Sequence, residues 1–203
     1  MNRLYILLAF IFTLSLLCLP QDLWAQSELL NEINQQRIRL NKGNMYVLGA
    51  WAVGNIGVSG YLRSRTTGNV RYFHEMNAIW NFVNLGLAAG GLYGSFVEDP
   101  STYTAWATYR AQQNIEKILL FNMALNFTYM TAGGYLIERS KTATDRPERL
   151  EGYGQSLIMQ GGFLFVFDLT QYLLHHYGNQ GRLKQLLDTI QVSPEGIGMT
   201  VTF

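Results

Sequence analysis

Four stretches of this chain, each 18 to 25 residues long, are almost free of charge. They are residues 45–62, 76–97, 118–137 and 152–176, and of the chain's 15 basic and 14 acidic residues they contain one, Asp168. Because an α-helix rises about 1.5 Å per residue, each stretch is long enough to cross a hydrocarbon core of roughly 30 Å. The pattern therefore predicts four membrane-spanning helices joined by loops of ordinary charge, with the lipid bilayer as partner.

The remaining charges exclude several classes of protein. The net charge is +1, no cluster of Lys and Arg could follow a phosphate backbone, and 48% of the residues are hydrophobic, so we expect neither a nucleic-acid partner nor a disordered chain. No zinc motif, phosphate loop or dinucleotide fingerprint occurs, and we predict no cofactor.

The first 25 residues have the organisation of a signal peptide. A short polar start containing Arg3 precedes an apolar run over residues 4–19, Pro20 ends that run, and Ala25 offers a small residue for cleavage. Cys18, the chain's one cysteine, would be removed with residues 1–25, so no disulfide is expected.

An amphipathic interfacial helix is predicted for residues 26–44. It is expected to begin at the cap residue Ser27 and to end at Gly43, with Arg37 among the charged residues on its polar face. The remaining predicted units are the four-helix transmembrane domain, residues 45–178, and a short helix with an extended C-terminal tail, residues 179–203.

The connecting loops indicate an orientation. The first and third loops carry seven Lys or Arg residues, whereas the second carries Arg110 and, at its edge, Lys117. By the positive-inside rule the first and third loops are cytoplasmic. We therefore place the protein in a bacterial cytoplasmic membrane, with both tails in the periplasm.

Two other folds are compatible with parts of the sequence. A small outer-membrane β-barrel would account for the 20 glycines, the 12 tyrosines and the period-two alternation of Ile197, Met199, Val201 and Phe203. Residues 163–167 are apolar at every position, however, which disfavours barrel strands. A soluble helical bundle is the other alternative, although soluble helices of this length normally carry a charged outer face.

Each uncharged stretch has one polar face. At 100° per residue, Asn77, Asn81 and Asn84 share a face of the second helix. The other faces consist of Trp51, Asn55 and Ser59 in the first helix, Asn122, Asn126 and Tyr129 in the third, and Gln160, Asp168, Gln171 and His175 in the fourth. Because an unpaired amide in hydrocarbon is costly, we expect these faces to turn inward in an antiparallel four-helix bundle. The spacing of Gly86, Gly90 and Gly94 predicts a surface where another helix approaches closely.

Asp168 is the leading candidate for a functional residue. An ionised Asp at mid-bilayer depth costs at least about 2.5 to 3.5 kcal/mol, and none of the four stretches contains a Lys or Arg to offset it. It is predicted either to bind a small ligand, a proton or a cation, or to be a neutral packing residue. Depth along the helices sorts the candidate ligand-binding residues into a cytoplasmic-side group, Asn55, Asn81, Asn84 and Gln160, and a deeper group, Asn122, Asn126, Asp168 and Gln171. Tyr129 is a further candidate because, with Asn122 and Asn126, it could solvate Asp168.

Three functional hypotheses follow. The first is a non-enzymatic membrane protein whose polar seam binds a ligand or docks a partner, either another membrane protein or a second copy of the chain. The second is a membrane enzyme or redox subunit that uses Asp168, Tyr129 and His175, with His175 as a weak candidate metal ligand. The third is the outer-membrane barrel.

Three segments resemble a known family. Residues 48–55 (LGAWAVGN), 73–84 (FHEMNAIWNFVN) and 160–168 (QGGFLFVFD) are similar to an uncharacterised family of small membrane proteins from Bacteroidota. The resemblance implies a four-span membrane protein and implies no activity.

Overall fold

Four long α-helices form the fold in a computed structural model of the chain. Helix α1 spans Asn2–Arg63, α2 Gly68–Val97, α3 Ala105–Ser140 and α4 Pro147–Asp188, and a hairpin of β1 (Ile190–Ser193) and β2 (Gly196–Met199) follows. The structure describes the backbone of residues 2–188, 190–193 and 196–199 and the side chains of residues 26–187. The predicted four-helix, all-α bundle is confirmed, and the β-barrel alternative is not supported.

Local sequence explains where the helices that follow α2 begin. The Asp99 side chain accepts a 2.9 Å hydrogen bond from the backbone N–H of Ser101 and so begins a short 3₁₀ turn. Thr104 then caps α3 by accepting a 3.3 Å hydrogen bond from the backbone N–H of Ala107. Pro147 is the first residue of α4, where its missing N–H costs nothing.

Helix α1 differs from its prediction. The expected cap at Ser27 and the expected end at Gly43 both lie inside the continuous helix Asn2–Arg63, because Asn44 and Leu48 continue the buried face beyond the glycine. Arg37, expected on the exposed face, is only 4% exposed. The predicted signal peptide, residues 1–25, lies outside the described side chains, and its cleavage stays a prediction.

The C-terminal segment is also partly as expected. Instead of a separate short helix, residues 179–188 continue α4, and the extended tail begins with the β1–β2 hairpin. Of the period-two positions at the end of the chain, residues 201–203 lie outside the described residues.

Glycines set the helix spacing, but not the glycines that the sequence suggested. A Cβ on Gly154 of α4 would lie 2.5 Å from the carbonyl oxygen of Gly133 on α3, so these two backbones touch. By contrast, a Cβ on Gly86, Gly90 or Gly94 would meet no atom within 4 Å. The predicted close contact at those three positions is wrong, because they lie on the side of α2 opposite the asparagine face, which packs against α1 and α4.

One end of the bundle has the charged surface of an ordinary soluble protein, around a core that is partly apolar and partly polar, since Asn34, Gln112 and Asn179 are fully buried there. We call this end the distal bundle: residues 26–44 of α1, 105–117 of α3 and 177–187 of α4. Ile33, Leu183 and Leu186 are buried at its centre and are surrounded by partly buried apolar side chains. Its exposed positions carry charges, at Glu28, Glu32, Arg39, Arg110, Lys117 and Lys184.

The rest of the bundle differs from the distal bundle in its outer surface. In the charge-poor band, defined as residues 45–62, 76–97, 118–137 and 152–176, the buried side chains are mostly polar. The predicted inward orientation is confirmed for the α2 stripe, since Asn77, Asn81 and Asn84 are each at most 3% exposed. Large apolar side chains point outward instead, including Phe82, Phe121 and Val166, each at least 60% exposed.

Among the described helices, one passes a test of length and apolar composition for crossing a membrane. It is α4, over Pro147–Leu187. One such helix is a weak indication of membrane association, because the core helix of a soluble protein can pass the same test.

Candidate functional site

Asn77 is the centre of a cluster of amides between α1, α2 and α4. Its Nδ2 donates to Asn55 Oδ1 at 2.8 Å and to Ser59 Oγ at 2.6 Å, and its Oδ1 accepts from Gln160 Nε2. Asn81 Nδ2 adds a bond to the Asn77 carbonyl oxygen at 2.8 Å. The predicted residues Asn55, Asn81 and Gln160 are therefore brought together, each through a hydrogen bond with Asn77. Because these amides satisfy one another, the cluster is well suited to holding α1, α2 and α4 in register.

A cavity of about 250 Å³ lies deeper in the band, between α2 and α3. Five polar side chains line it, and all five are among the predicted residues: Asn84, Asn122, Asn126, Tyr129 and Asp168. Its apolar wall comprises Leu48, Trp80, Val83, Leu87, Leu125, Leu164 and Phe167. The deeper predicted group is thus assembled except for Gln171, and Asn84, predicted at the cytoplasmic-side level, joins it.

Asp168 is the one charged group among the described residues that line this cavity. It is 6% exposed, and its Oδ2 accepts a 2.7 Å hydrogen bond from Asn126 Nδ2. Asn84 donates to Asn81 Oδ1 at 3.3 Å, whereas the Asn122 amide and the Tyr129 hydroxyl have no hydrogen-bond partner among the described residues. The carboxylate therefore faces polar groups that retain bonding capacity.

Two aromatic residues of the cavity wall, Trp80 and Phe167, were missed by sequence reasoning. The rings of Trp80 and Tyr129 meet edge to face, with centroids 4.8 Å apart and planes at 79°, and Phe167 lies beside Asp168 on the same wall. Trp80 precedes Asn84 by four residues and so shares its helical face. The spacing of Trp80 and Asn84 therefore predicts that they line the same site, but an apolar side chain on a polar face gives no indication of binding by itself.

Gln171 and His175 continue the α4 stripe away from the cavity and do not line it. His175 is fully buried, and both of its ring nitrogens, like Gln171 Oε1, lack a hydrogen-bond partner among the described residues. Nearby, Glu116 Oε1 accepts from Gln112 Nε2 at 3.0 Å, and Glu116 Oε2 lies 3.2 Å from His176 Nδ1.

This placement bears on two earlier hypotheses. Asp168 and Tyr129 share the cavity but His175 does not, so the three residues of the enzyme hypothesis are not assembled. Within the described part of the chain, no group of three or more His, Cys, Asp or Glu is placed to hold a metal ion, which gives the candidate metal ligand His175 no support.

Arg37 explains how the chain between α2 and α3 is fixed to α1. Its Nη2 lies 2.5 Å from Glu98 Oε1, and its guanidinium lies 4.9 Å from the centroid of the Tyr103 ring. Tyr103 also donates to Glu98 Oε1 at 2.5 Å. Burial acts to raise the pKa of the Glu98 carboxyl, but the hydrogen bonds from Tyr103 and Arg37 outweigh it and hold that pKa below its ordinary value.

Fold and site together define a small helical-bundle protein with an interior cavity built around one buried carboxylate. Residues 47–169 match the family of unknown function DUF6992, and the chain belongs to this family. The matched region contains every residue that lines the cavity, from Leu48 to Asp168, and omits residues 26–44 of the distal bundle. No curated protein and no solved structure matches the chain.

Proposed function

We propose that this chain is an integral protein of a bacterial cytoplasmic membrane, with four spanning helices, and that the Asp168 cavity binds a small ligand, proton or cation within the bilayer. The observation that carries the membrane assignment is the change of outer surface between the distal bundle and the charge-poor band. Water favours the first surface, which carries charges. Hydrocarbon favours the second part, in which amides pair inside and apolar side chains face outward.

The same arrangement explains why composition singles out α4 alone. The band segments of α1, α2 and α3 are 18, 22 and 20 residues long, within the range for a spanning helix. Their inward asparagines and serines lower their average apolarity without exposing a polar group to lipid. A test of composition treats an inward amide like an outward one, whereas the bilayer is in contact with the outer face only.

Orientation follows from the turns. The two basic loops, one between α1 and α2 and the other between α3 and α4, lie at the end of the bundle opposite the distal bundle. The positive-inside rule puts those loops in the cytoplasm, so the distal bundle and both tails are periplasmic.

Single-cysteine labelling tests this topology. In a Cys18→Ser background, a charged maleimide added to cells with a permeable outer envelope is expected to label Ser101→Cys but not Ser64→Cys or Thr144→Cys. After cell lysis it should label all three loop positions. Val166→Cys, 62% exposed on the band, should stay unlabelled in membranes and react once the protein is unfolded. Equal labelling of the four positions in lysates, with extraction of the protein by alkali, would show a soluble bundle instead.

The energetics of Asp168 favour binding over packing. An ionised Asp in mid-membrane costs at least about 2.5 kcal/mol, whereas an interhelical hydrogen bond returns about 0.6 kcal/mol on average. The single hydrogen bond from Asn126 therefore does not compensate for the cost of burying the Asp168 carboxylate. A group that destabilises the resting fold is typical of a binding site, where the ligand provides the missing interactions.

Asp168→Asn is expected to raise the free energy of unfolding by roughly 2 kcal/mol, because it removes the charge and keeps an acceptor for Asn126. We would measure unfolding of the purified protein in detergent at pH 9. Asp145→Asn is the matched control, since the Asp145 side chain is 92% exposed and its loss changes the net charge equally. If Asp168→Asn lowers stability or leaves it unchanged, the carboxyl is a packing group and the proposed binding role is wrong.

A further inference from the structure

We infer that the ligand of the Asp168 cavity is an organic ammonium ion with an apolar substituent, which enters from the bilayer between α2 and α3. This inference rests on the proposed function, since it names the class of ligand for the same cavity. It follows from the charge of the cavity, from its aromatic wall and from the side on which it opens.

Charge selects a cation. Asp168 is buried, and none of the described residues that line the cavity is basic. An anion would meet the Asp168 carboxylate without a compensating charge, whereas an ammonium N–H would make a charge-assisted hydrogen bond to it, about twice as strong as a neutral one. The amides of Asn84 and Asn122 offer further acceptors at the same level of the cavity.

The aromatic wall selects an organic cation over a metal ion. Ca²⁺ takes six to eight oxygen ligands, and Mg²⁺ an octahedron of them. Most of this cavity's wall is instead apolar, and the cavity is lined by the rings of Trp80, Tyr129 and Phe167. The faces of such rings attract alkylated ammonium groups through cation–π interaction, which does not require the oxygen ligands that a metal ion needs.

The position of the cavity's opening favours an amphiphilic ligand. The backbones of α2 and α3 pack closely on other helices but not on each other, and the cavity lies between them beside the contact of Trp80 with Tyr129. Val83 and Leu87, which line it, are also 60% and 61% exposed on the outer surface, so the cavity reaches the lipid-facing side of the band. Its 250 Å³ equals the volume of roughly eight water molecules at about 30 Å³ each, enough for a head group and a short chain segment. The remainder of the substituent would extend into the lipid.

Quenching of Trp80 fluorescence tests the inference with defined probes. The full-length protein in lipid nanodiscs is titrated with a terminally brominated alkylammonium and with the alcohol and carboxylate of the same chain length. The expected result is saturable quenching by the ammonium at a concentration at least tenfold below that of the alcohol, with none by the carboxylate. Trp80→Phe should remove the saturable component, because Trp80 is the tryptophan in the cavity wall.

Two further variants separate charge from the aromatic wall. Asp168→Asn should weaken ammonium binding at least tenfold and leave the alcohol unchanged, while Asp145→Asn should change neither. Tyr129→Leu, which keeps the carboxylate, should weaken ammonium binding about threefold or more. Equal binding of the three probes, or ammonium binding that survives Asp168→Asn, overturns the ligand class and leaves the proposed function standing. Absence of saturable quenching by every probe also overturns it. The proposed function is tested separately, by the effect of Asp168→Asn on the free energy of unfolding.

Discussion

Gly154→Ala is expected to lower the free energy of unfolding by about 3 kcal/mol, at the upper end of the usual cost of overpacking. The new Cβ would lie 2.5 Å from the Gly133 carbonyl oxygen and 2.8 Å from Ile137 Cγ1. A backbone carbonyl cannot rotate away as a flexible side chain can, so α3 and α4 must separate. That separation loosens the interface that holds Asn126 against Asp168. Denaturant or thermal unfolding in detergent measures the loss.

Gly134 provides the control for this substitution. It follows Gly133 on α3, but a Cβ there would meet no atom within 4 Å. Because alanine is favoured over glycine in a helix by up to about 1 kcal/mol, Gly134→Ala should be neutral or slightly stabilising. Gly133→Ala should resemble Gly154→Ala, and the double variant should cost less than the sum, since one separation relieves both clashes. Similar losses of stability for Gly133→Ala and Gly134→Ala would contradict the contact between Gly133 and Gly154.

Helical periodicity predicted the orientation of the polar faces but not their partners. The 100° rotation per residue put Asn77, Asn81 and Asn84 on one face, and they are buried together. It could not show which helix lies opposite a face, because that depends on the packing of four helices at once. Asn84 was predicted to belong with Asn55, Asn81 and Gln160; its hydrogen bond to Asn81 agrees with this, but it also lines the Asp168 cavity.

The errors have a common physical origin. Sequence spacing detects a small or charged residue but not its neighbours across the interface. Gly86, Gly90 and Gly94 have a typical contact spacing but no neighbour, whereas Gly133 and Gly154, which lack that spacing, touch. The Trp80–Tyr129 corner of the cavity likewise joins α2 to α3, and its two rings are 49 positions apart in the chain.

Arg37 is the largest departure from the predicted pattern, and it leads to the second prediction. On a helical wheel it falls among exposed charges, yet it is 4% exposed because Glu98, from the end of α2, supplies a counter-charge that the local sequence of α1 does not contain. Glu98→Gln is expected to cost about 3 kcal/mol, since it leaves the Arg37 guanidinium buried without a counter-charge, with Asn34 Oδ1 and the neutral amide oxygen of the new side chain as its hydrogen-bond acceptors.

Replacing Arg37 instead of Glu98 should cost less stability. Glu98 is 22% exposed and keeps its hydrogen bond from Tyr103, so after Arg37→Met the carboxylate can be solvated. The double variant should recover stability relative to Glu98→Gln alone, a non-additivity that a double-mutant cycle on unfolding free energies measures. Glu138→Gln, at a pair with Lys141 whose side chains are 73% and 64% exposed, should cost less than about 1 kcal/mol. Equal costs for Glu98→Gln and Glu138→Gln would mean that Arg37 reaches water in solution, and that its ion pair with Glu98 does not hold the end of α2 to α1.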